Sequence, residues 1–150
     1  MANRAKETWG SGDAYEQYVG RWSRLVATEF LGGLGVEPGS IWGDVGCGTG
    51  VLTGCILANA DPTSILATDR AQGFIRAAHR RYRDRRVQFS VGDALALAWQ
   101  SNSLDAAVSG LVLNFVSSPK GMAAEMVRVT RPGGVVAAYV WDYAGGMQMM

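Results

Sequence analysis

Ile41-Trp42-Gly43-Asp44-Val45-Gly46-Cys47-Gly48-Thr49-Gly50 decides the fold. A short apolar run, Ile41 to Val45, interrupted by Gly43 and Asp44, stops at three alternating glycines. A helical stretch follows from Thr49 to about Ala60 and is closed by Asp61-Pro62. Glycine at a strand-to-helix turn permits φ > 0 and lets a ligand touch the backbone. The helix N-terminus behind it presents free N–H groups and a partial positive charge.

Downstream the alternation repeats. Ser64 to Thr68 reads as a strand with Asp69 at its end, and Ala71 to about Asp84 as a helix with Phe74, Ala78 and Tyr82 on one face. Val87 to Val91 is a third strand, ended by Gly92-Asp93, and Leu104 to Ser109 a fourth, apolar apart from Asp105. Pro119 to Thr130 is a helix with proline in its first turn. After the Pro132-Gly133-Gly134 turn, Val135 to Trp141 is a fifth strand. Upstream, Trp22, Leu25, Val26 and Phe30 recur at spacings of three and four, giving a helix with one apolar stripe. Gly32, Gly33, Gly35 and Pro38-Gly39 end it. Strands alternating with helices imply βαβ units, right-handed crossovers and a mostly parallel sheet. Near-continuous apolar strands fit a sheet covered on both faces. The fold class is therefore α/β, a Rossmann-like three-layer sandwich, with residues 1–40 as a helical cap and 41–150 as the cofactor-binding domain.

Composition narrows the function classes. The 150 residues suit one domain, and 48% hydrophobic with 18% charged residues is ordinary for a globular protein. A net charge of +1 gives no global attraction to nucleic acid or an anionic membrane. Cys47 and Cys55 make neither a disulfide scaffold nor a zinc site, and with His79 the single histidine no metal is expected. No apolar run reaches the ~18 residues that span a bilayer, and Met1 to Glu7 lacks the apolar core of a secretory signal. A cytoplasmic protein is expected. Arg76, Arg80, Arg81, Arg83, Arg85 and Arg86 surround His79 and read as a solvated helix face, because Tyr82 faces inward and leaves no stacking platform. No nucleic-acid partner and no membrane is expected.

The glycine spacing distinguishes between cofactors. A dinucleotide fingerprint needs glycine at positions 46, 48 and 51; position 51 is Val51, and the third glycine is Gly50. Asp44, two residues before Gly46, would repel a pyrophosphate and suits a cationic ligand. S-adenosylmethionine, with its ammonium and sulfonium, fits better than NAD. Asp69 stands about twenty residues beyond the loop, where an acidic side chain accepts from ribose hydroxyls. Such bonds to a charged acceptor contribute about 1.5–3 kcal/mol. In Gly92-Asp93-Ala94, Asp93 can take the exocyclic amine of adenine and the Ala94 N–H a ring nitrogen. Three carboxylates thus close three successive strands.

These residues resemble class I S-adenosylmethionine-dependent methyltransferases. Ile41 to Gly50 is similar to motif I, Asp69 to the acid of motif II, and Val91-Gly92-Asp93-Ala94 to motif III. Leu104 to Phe115 is similar to the strand-four segment, and Arg131-Pro132-Gly133-Gly134 to the turn before strand five. The likeness runs from about Tyr15 to Tyr143 and is greatest to the branch with the ubiquinone and menaquinone C-methyltransferases. It implies in-line methyl transfer to a small-molecule acceptor, leaving S-adenosylhomocysteine. It further implies that Ser109 and Gly110 offer carbonyls to the ammonium, that Arg70 and Leu95 flank the adenine, that Tyr15 approaches the methyl, and that Arg21 pairs with the carboxylate. No histidine or carboxylate stands out as a general base. Asn114 and Tyr15 are near by topology only, so no catalytic residue is assigned.

Two departures stand out. Gly43 replaces a larger strand residue and is expected to loosen packing beneath the loop. The chain also lacks the family's last strands, leaving strand five as an open edge, a liability. That edge is expected to be covered by the tail, paired with another copy as a homodimer, or followed by further sequence. Competing readings are a non-catalytic or truncated S-adenosylmethionine-binding module and an RNA methyltransferase.

Overall fold

The structure, a computed structural model, describes residues 21–142. In chain order they form α1 (Arg21–Gly32), β1 (Ile41–Val45), α2 (Val51–Asn59), β2 (Ser64–Asp69), α3 (Gln72–Arg81), β3 (Val87–Val91), β4 (Leu104–Gly110), α4 (Pro119–Val129) and β5 (Thr130–Tyr139). The five strands make one all-parallel sheet in the order β3-β2-β1-β4-β5. Consecutive strands run outward from β1 to β3, and the chain then crosses back to β4. The switch between β1 and β4 opens a crevice at the carboxyl ends of those strands, where ligands of such sheets bind.

Alternation along the strands divides the core. Trp42, Ile65, Ala106 and Val108 pack with Ala27 and Leu31 of α1 and with Leu52 and Ile56 of α2. Val45, Leu104 and Ala107 point to the other face, against Met122, Met126 and Val129 of α4. Ile75 and Ala78 of α3 cover Ala67 and Phe89. Each fully buried aliphatic side chain contributes roughly 1.5–3 kcal/mol. Gly43 does not loosen this packing. A Cβ there would lie 2.6 Å from Leu104 and 2.9 Å from Trp99, so these large side chains already fill the space a larger residue would need.

The connection from β3 to β4 contains no helix; α4 holds it in place. Glu125 accepts the Leu97 N–H at 2.8 Å and pairs with Arg128 at 2.7 Å. Arg128 in turn donates to the carbonyls of Leu97 (2.9 Å) and Trp99 (3.0 Å). One ion pair thus satisfies main-chain groups that a crossover helix would satisfy internally. Arg128→Ala is expected to accelerate amide exchange selectively across residues 93–101, Leu97 above all, with β1 and β2 little changed. Uniform acceleration across the sheet would count against this local clamp.

Three elements differ from expectation. In α1 the buried line is Ser23, Ala27 and Leu31, whereas Trp22 is 69% exposed and Leu25 60%. The helix turns its small residues inward because Trp42, Leu52 and Ile56 already supply the bulk at that contact. Helix α3 ends at Arg81; Tyr82 is extended, and Ile75, not Phe74, joins Ala78 in the buried face. Pairing of β5 begins at Thr130 instead of after the glycine turn. Thr130 opposes Leu104 and Val135 opposes Ala106, so Arg131 to Gly134 loop out opposite Asp105. Asp105 holds that irregularity, accepting the Ile41 N–H at 2.7 Å and Arg131 Nε at 2.6 Å. These two bonds keep its carboxyl below the usual range. Among the described residues the outer side of β5 has no partner strand, and the tail after Asp142 lies outside them.

Candidate cofactor site

The loop after β1 is stitched to the end of β2. The Gly46 and Cys47 N–H groups donate to the Thr68 carbonyl at 2.8 and 2.9 Å, and the Gly48 N–H donates to Asp69 Oδ2 at 3.0 Å. Gly46, Gly48 and Gly50 have φ of 74°, 55° and 93°, where L side chains are strained. What surrounds them differs. A Cβ on Gly46 would fall 2.5 Å from Val112, and one on Gly50 would fall 2.9 Å from the Tyr82 ring, which also covers Gly54. Nothing lies within 4 Å of a Cβ on Gly48. The loop is packed on two sides and open at Gly48.

Asp44 is fully buried. Its Oδ2 accepts the Thr53 hydroxyl at 2.7 Å, while Oδ1 has no partner. Burial pushes its carboxyl up to about 7; the Thr53 bond opposes that rise and the charge of Asp69 adds to it. This corrects the picture of a fixed negative charge facing the ligand. Burial thus favours the protonated carboxyl, and a cation or donor reaching it would favour the anion.

Asp69, half-buried, closes β2 with both oxygens engaged: Oδ2 takes Gly48, and Oδ1 takes the Ala71 N–H at 2.8 Å. Each carboxylate oxygen keeps a second acceptor direction. Asp93 is exposed beyond β3, and its Oδ1 accepts the Leu95 N–H at 2.8 Å within its own turn. Arg70 is exposed, while Ala94 and Leu95 pack half-buried against the α4 side of the core. Ser109 is buried and its hydroxyl donates to the Val45 carbonyl at 2.7 Å, tying β4 to β1 at the crevice. The Tyr139 hydroxyl sits where a Cβ of Gly110 would stand. Asp44, Gly46, Gly48, Asp69, Ser109 and Gly110 therefore converge at the β2–β1–β4 end of the sheet. Arg21 is the first residue of α1, and Tyr15 lies outside the described residues.

Asn114 does not stand free as a base. Its amide donates to the Trp141 carbonyl at 3.2 Å and accepts the Trp141 N–H at 2.9 Å. Cys47 is buried within the loop, and burial pushes its thiol up, which leaves it a packing residue. Sequence reasoning missed Thr53 and Val112, and read Tyr82 as an inward-facing residue without its contact to the glycines. Thr53 was the most legible of the three, as the one hydroxyl in the apolar first turn of α2. The other two touch the glycines only through tertiary folding.

Residues 43–138 match the family described as the methyltransferase domain. The chain belongs to this family. The methyltransferase domain is 36% identical over 126 residues to the demethylmenaquinone methyltransferase of Renibacterium salmoninarum, covering 79% of this chain and 48% of that protein. It is 36% identical over 136 residues to the tRNA (carboxymethyluridine(34)-5-O)-methyltransferase ALKBH8 of Macaca fascicularis, covering 85% of this chain and 19% of that one. The chain thus spans about half the length of the first relative and a fifth of the second. Among solved structures, the methyltransferase bound to the Trm112 activator of Haloferax volcanii superposes with a TM-score of 0.83. That match covers 93% of this chain and 62% of the other at 21% identity, a likeness of fold. The fold is the Rossmann-like α/β fold of these enzymes, and family and fold imply S-adenosylmethionine as the methyl donor.

Proposed function

We propose that this chain is the S-adenosylmethionine-binding and catalytic domain of a cytoplasmic methyltransferase acting on a small-molecule acceptor. The observation that carries the reading is the glycine loop, stitched to β2, packed at Gly46 and Gly50, and open at Gly48. The partnerless Asp44 oxygen beneath it suits a group that brings a donor or a positive charge. In this reading Gly46 and Gly48 receive the methionine end, Ser109 and Gly110 offer main-chain carbonyls to its ammonium, and Asp69 takes the ribose hydroxyls through its remaining acceptor directions. Asp93 and the Ala94 N–H take the adenine, flanked by Arg70 and Leu95. Arg21 and Tyr15 complete the site from residues 1–40, which act as the cap over domain 41–150.

S-adenosylmethionine supplies a methyl carbon already activated by its sulfonium. The chain's residues hold the reactants in line and exclude water, and such orientation is worth roughly 7–11 kcal/mol. Held at Gly46 and Gly48, the donor would supply that methyl to a nucleophilic atom of the acceptor. The loop after β4, residues 111–118, carries no titratable side chain. This favours an acceptor that needs no strong base from that loop. The small-molecule class draws on the menaquinone-type relative, and no helix of the described residues is long and apolar enough to cross a membrane. The tRNA-modifying relative supports a second reading, an RNA acceptor; the exposed arginines Arg76, Arg80, Arg83 and Arg85 would then hold phosphates. Pairing of two copies through β5 would close the strand-five edge.

The test has two arms. S-adenosylhomocysteine is expected to raise the melting temperature where NAD does not, and labelled methyl is expected to pass to a demethylated quinol. Stabilisation by NAD alone would overturn the cofactor assignment. Binding without transfer to quinols or to tRNA would leave a cofactor-binding module, and transfer to tRNA alone would establish the second reading.

A further inference from the structure

We infer that Asn114 is a positioning residue that latches the loop after β4 so that Val112 is seated on the glycine loop; the inference rests on the cofactor reading above. The loop leaves β4 at Leu111, a non-glycine residue at φ 63°, a conformation such a side chain adopts only when its surroundings impose it. Its N–H donates to the Tyr139 carbonyl at 2.8 Å, continuing the β4–β5 ladder one step past the sheet. Asn114 then makes its reciprocal pair with the main chain of Trp141, 27 residues further on. A bond from the Phe115 N–H to the Val112 carbonyl at 2.8 Å turns the chain about Leu113 and Asn114. Val112 is therefore held from both sides.

It is held against Gly46, with Val112 carbons 2.5 to 3.1 Å from where a Cβ would be. Val112 also packs, partly buried, against the core cluster on the α4 side of the sheet. The Asn114–Trp141 pair fixes where the chain leaves β5. Asn114 is exposed, so its two bonds compete with water and are easily exchanged. An asparagine amide donates and accepts at once through two separate atoms, and glutamine reaches one methylene further.

The experiment compares wild type, Asn114→Ala, Asn114→Asp, Val112→Ala and the double variant, using S-adenosylhomocysteine as the probe. Asn114→Ala is expected to speed dissociation of the probe about tenfold while lowering the melting temperature of the free protein by only a few degrees. Asn114→Asp keeps the acceptor for Trp141 and loses the donor, so an intermediate rate is expected. Because Asn114 acts through Val112, the double variant should dissociate little faster than Val112→Ala alone. Additive losses, or wild-type dissociation in Asn114→Ala, would overturn the inference. Amide exchange without ligand gives a separate reading: Leu111 and Phe115 should exchange faster in Asn114→Ala, and unchanged exchange there removes the latch whether or not the probe binds. If wild type fails to bind the probe while exchange responds, the cofactor reading fails and the latch stands.

Discussion

Alanine at Gly46 is expected to weaken the fold far more than alanine at Gly48. Both glycines lie in the left-handed region, where an L residue costs roughly 1–2 kcal/mol. At Gly46 the added methyl also enters Val112, at 2.5 and 2.8 Å from its two methyl carbons, and overpacking of that kind costs typically ~1–3 kcal/mol. The sum, roughly 2–5 kcal/mol from those two sources, is a large part of the ~5–15 kcal/mol that holds a domain together. At Gly48 no atom lies within 4 Å, so only the conformational share remains for stability. Ligand binding should reverse the lesson, because the open side of Gly48 is where the methionine end is proposed to lie. Denaturant unfolding of the two variants, followed by thermal shift with S-adenosylhomocysteine, separates the effects. Equal unfolding midpoints for Gly46→Ala and wild type would show that Val112 does not press on the loop.

The second large effect is a pH dependence lodged in Asp44. Its carboxyl is raised from 3.8 to about 7 by burial. Between those values the folded protein keeps a proton that the unfolded chain has released, so Asp44 makes stability fall as pH rises through that window and level off above it. A rise of that size corresponds to roughly 4 kcal/mol. Asp44→Asn removes the charged form and retains an acceptor for Thr53. The variant is therefore expected to match wild type near pH 4 and to exceed it by a few kcal/mol at pH 8. Its affinity for S-adenosylmethionine should fall, because a cation near Asp44 favours the ionised carboxylate. For the same reason wild-type binding should release a proton below pH 7 and tighten as pH rises, while the variant's affinity stays flat. Calorimetry in buffers of different ionisation enthalpy measures that proton. Identical pH slopes of stability in the two proteins would remove the account.

The glycine loop and the strand-end aspartates were legible because each is a local event. A turn between strand and helix needs φ > 0 at Gly46, Gly48 and Gly50, and a carboxylate at a strand end lies at the sheet edge whatever packs behind it. The α1 stripe was not legible in the same way. Trp22, Leu25 and Val26 have the spacing of a buried face, yet the contact is decided by the volume already supplied from β1 and α2, and the helix presents Ser23 and Ala27 there. Gly43 was misread for the same reason, since Trp99 and Leu104 come from segments more than fifty residues away.

The order of strands and helices, the place of the loop and the family itself follow from short-range pattern, since hydrophobic period and glycine spacing act within one element and its neighbour. The protonation of Asp44, the seating of Val112 and Tyr82 on the glycines, and the hold of Asn114 on Trp141 came from the folded molecule alone. Each depends on burial or on contacts between distant segments, and those exist only once the layers have closed on one another.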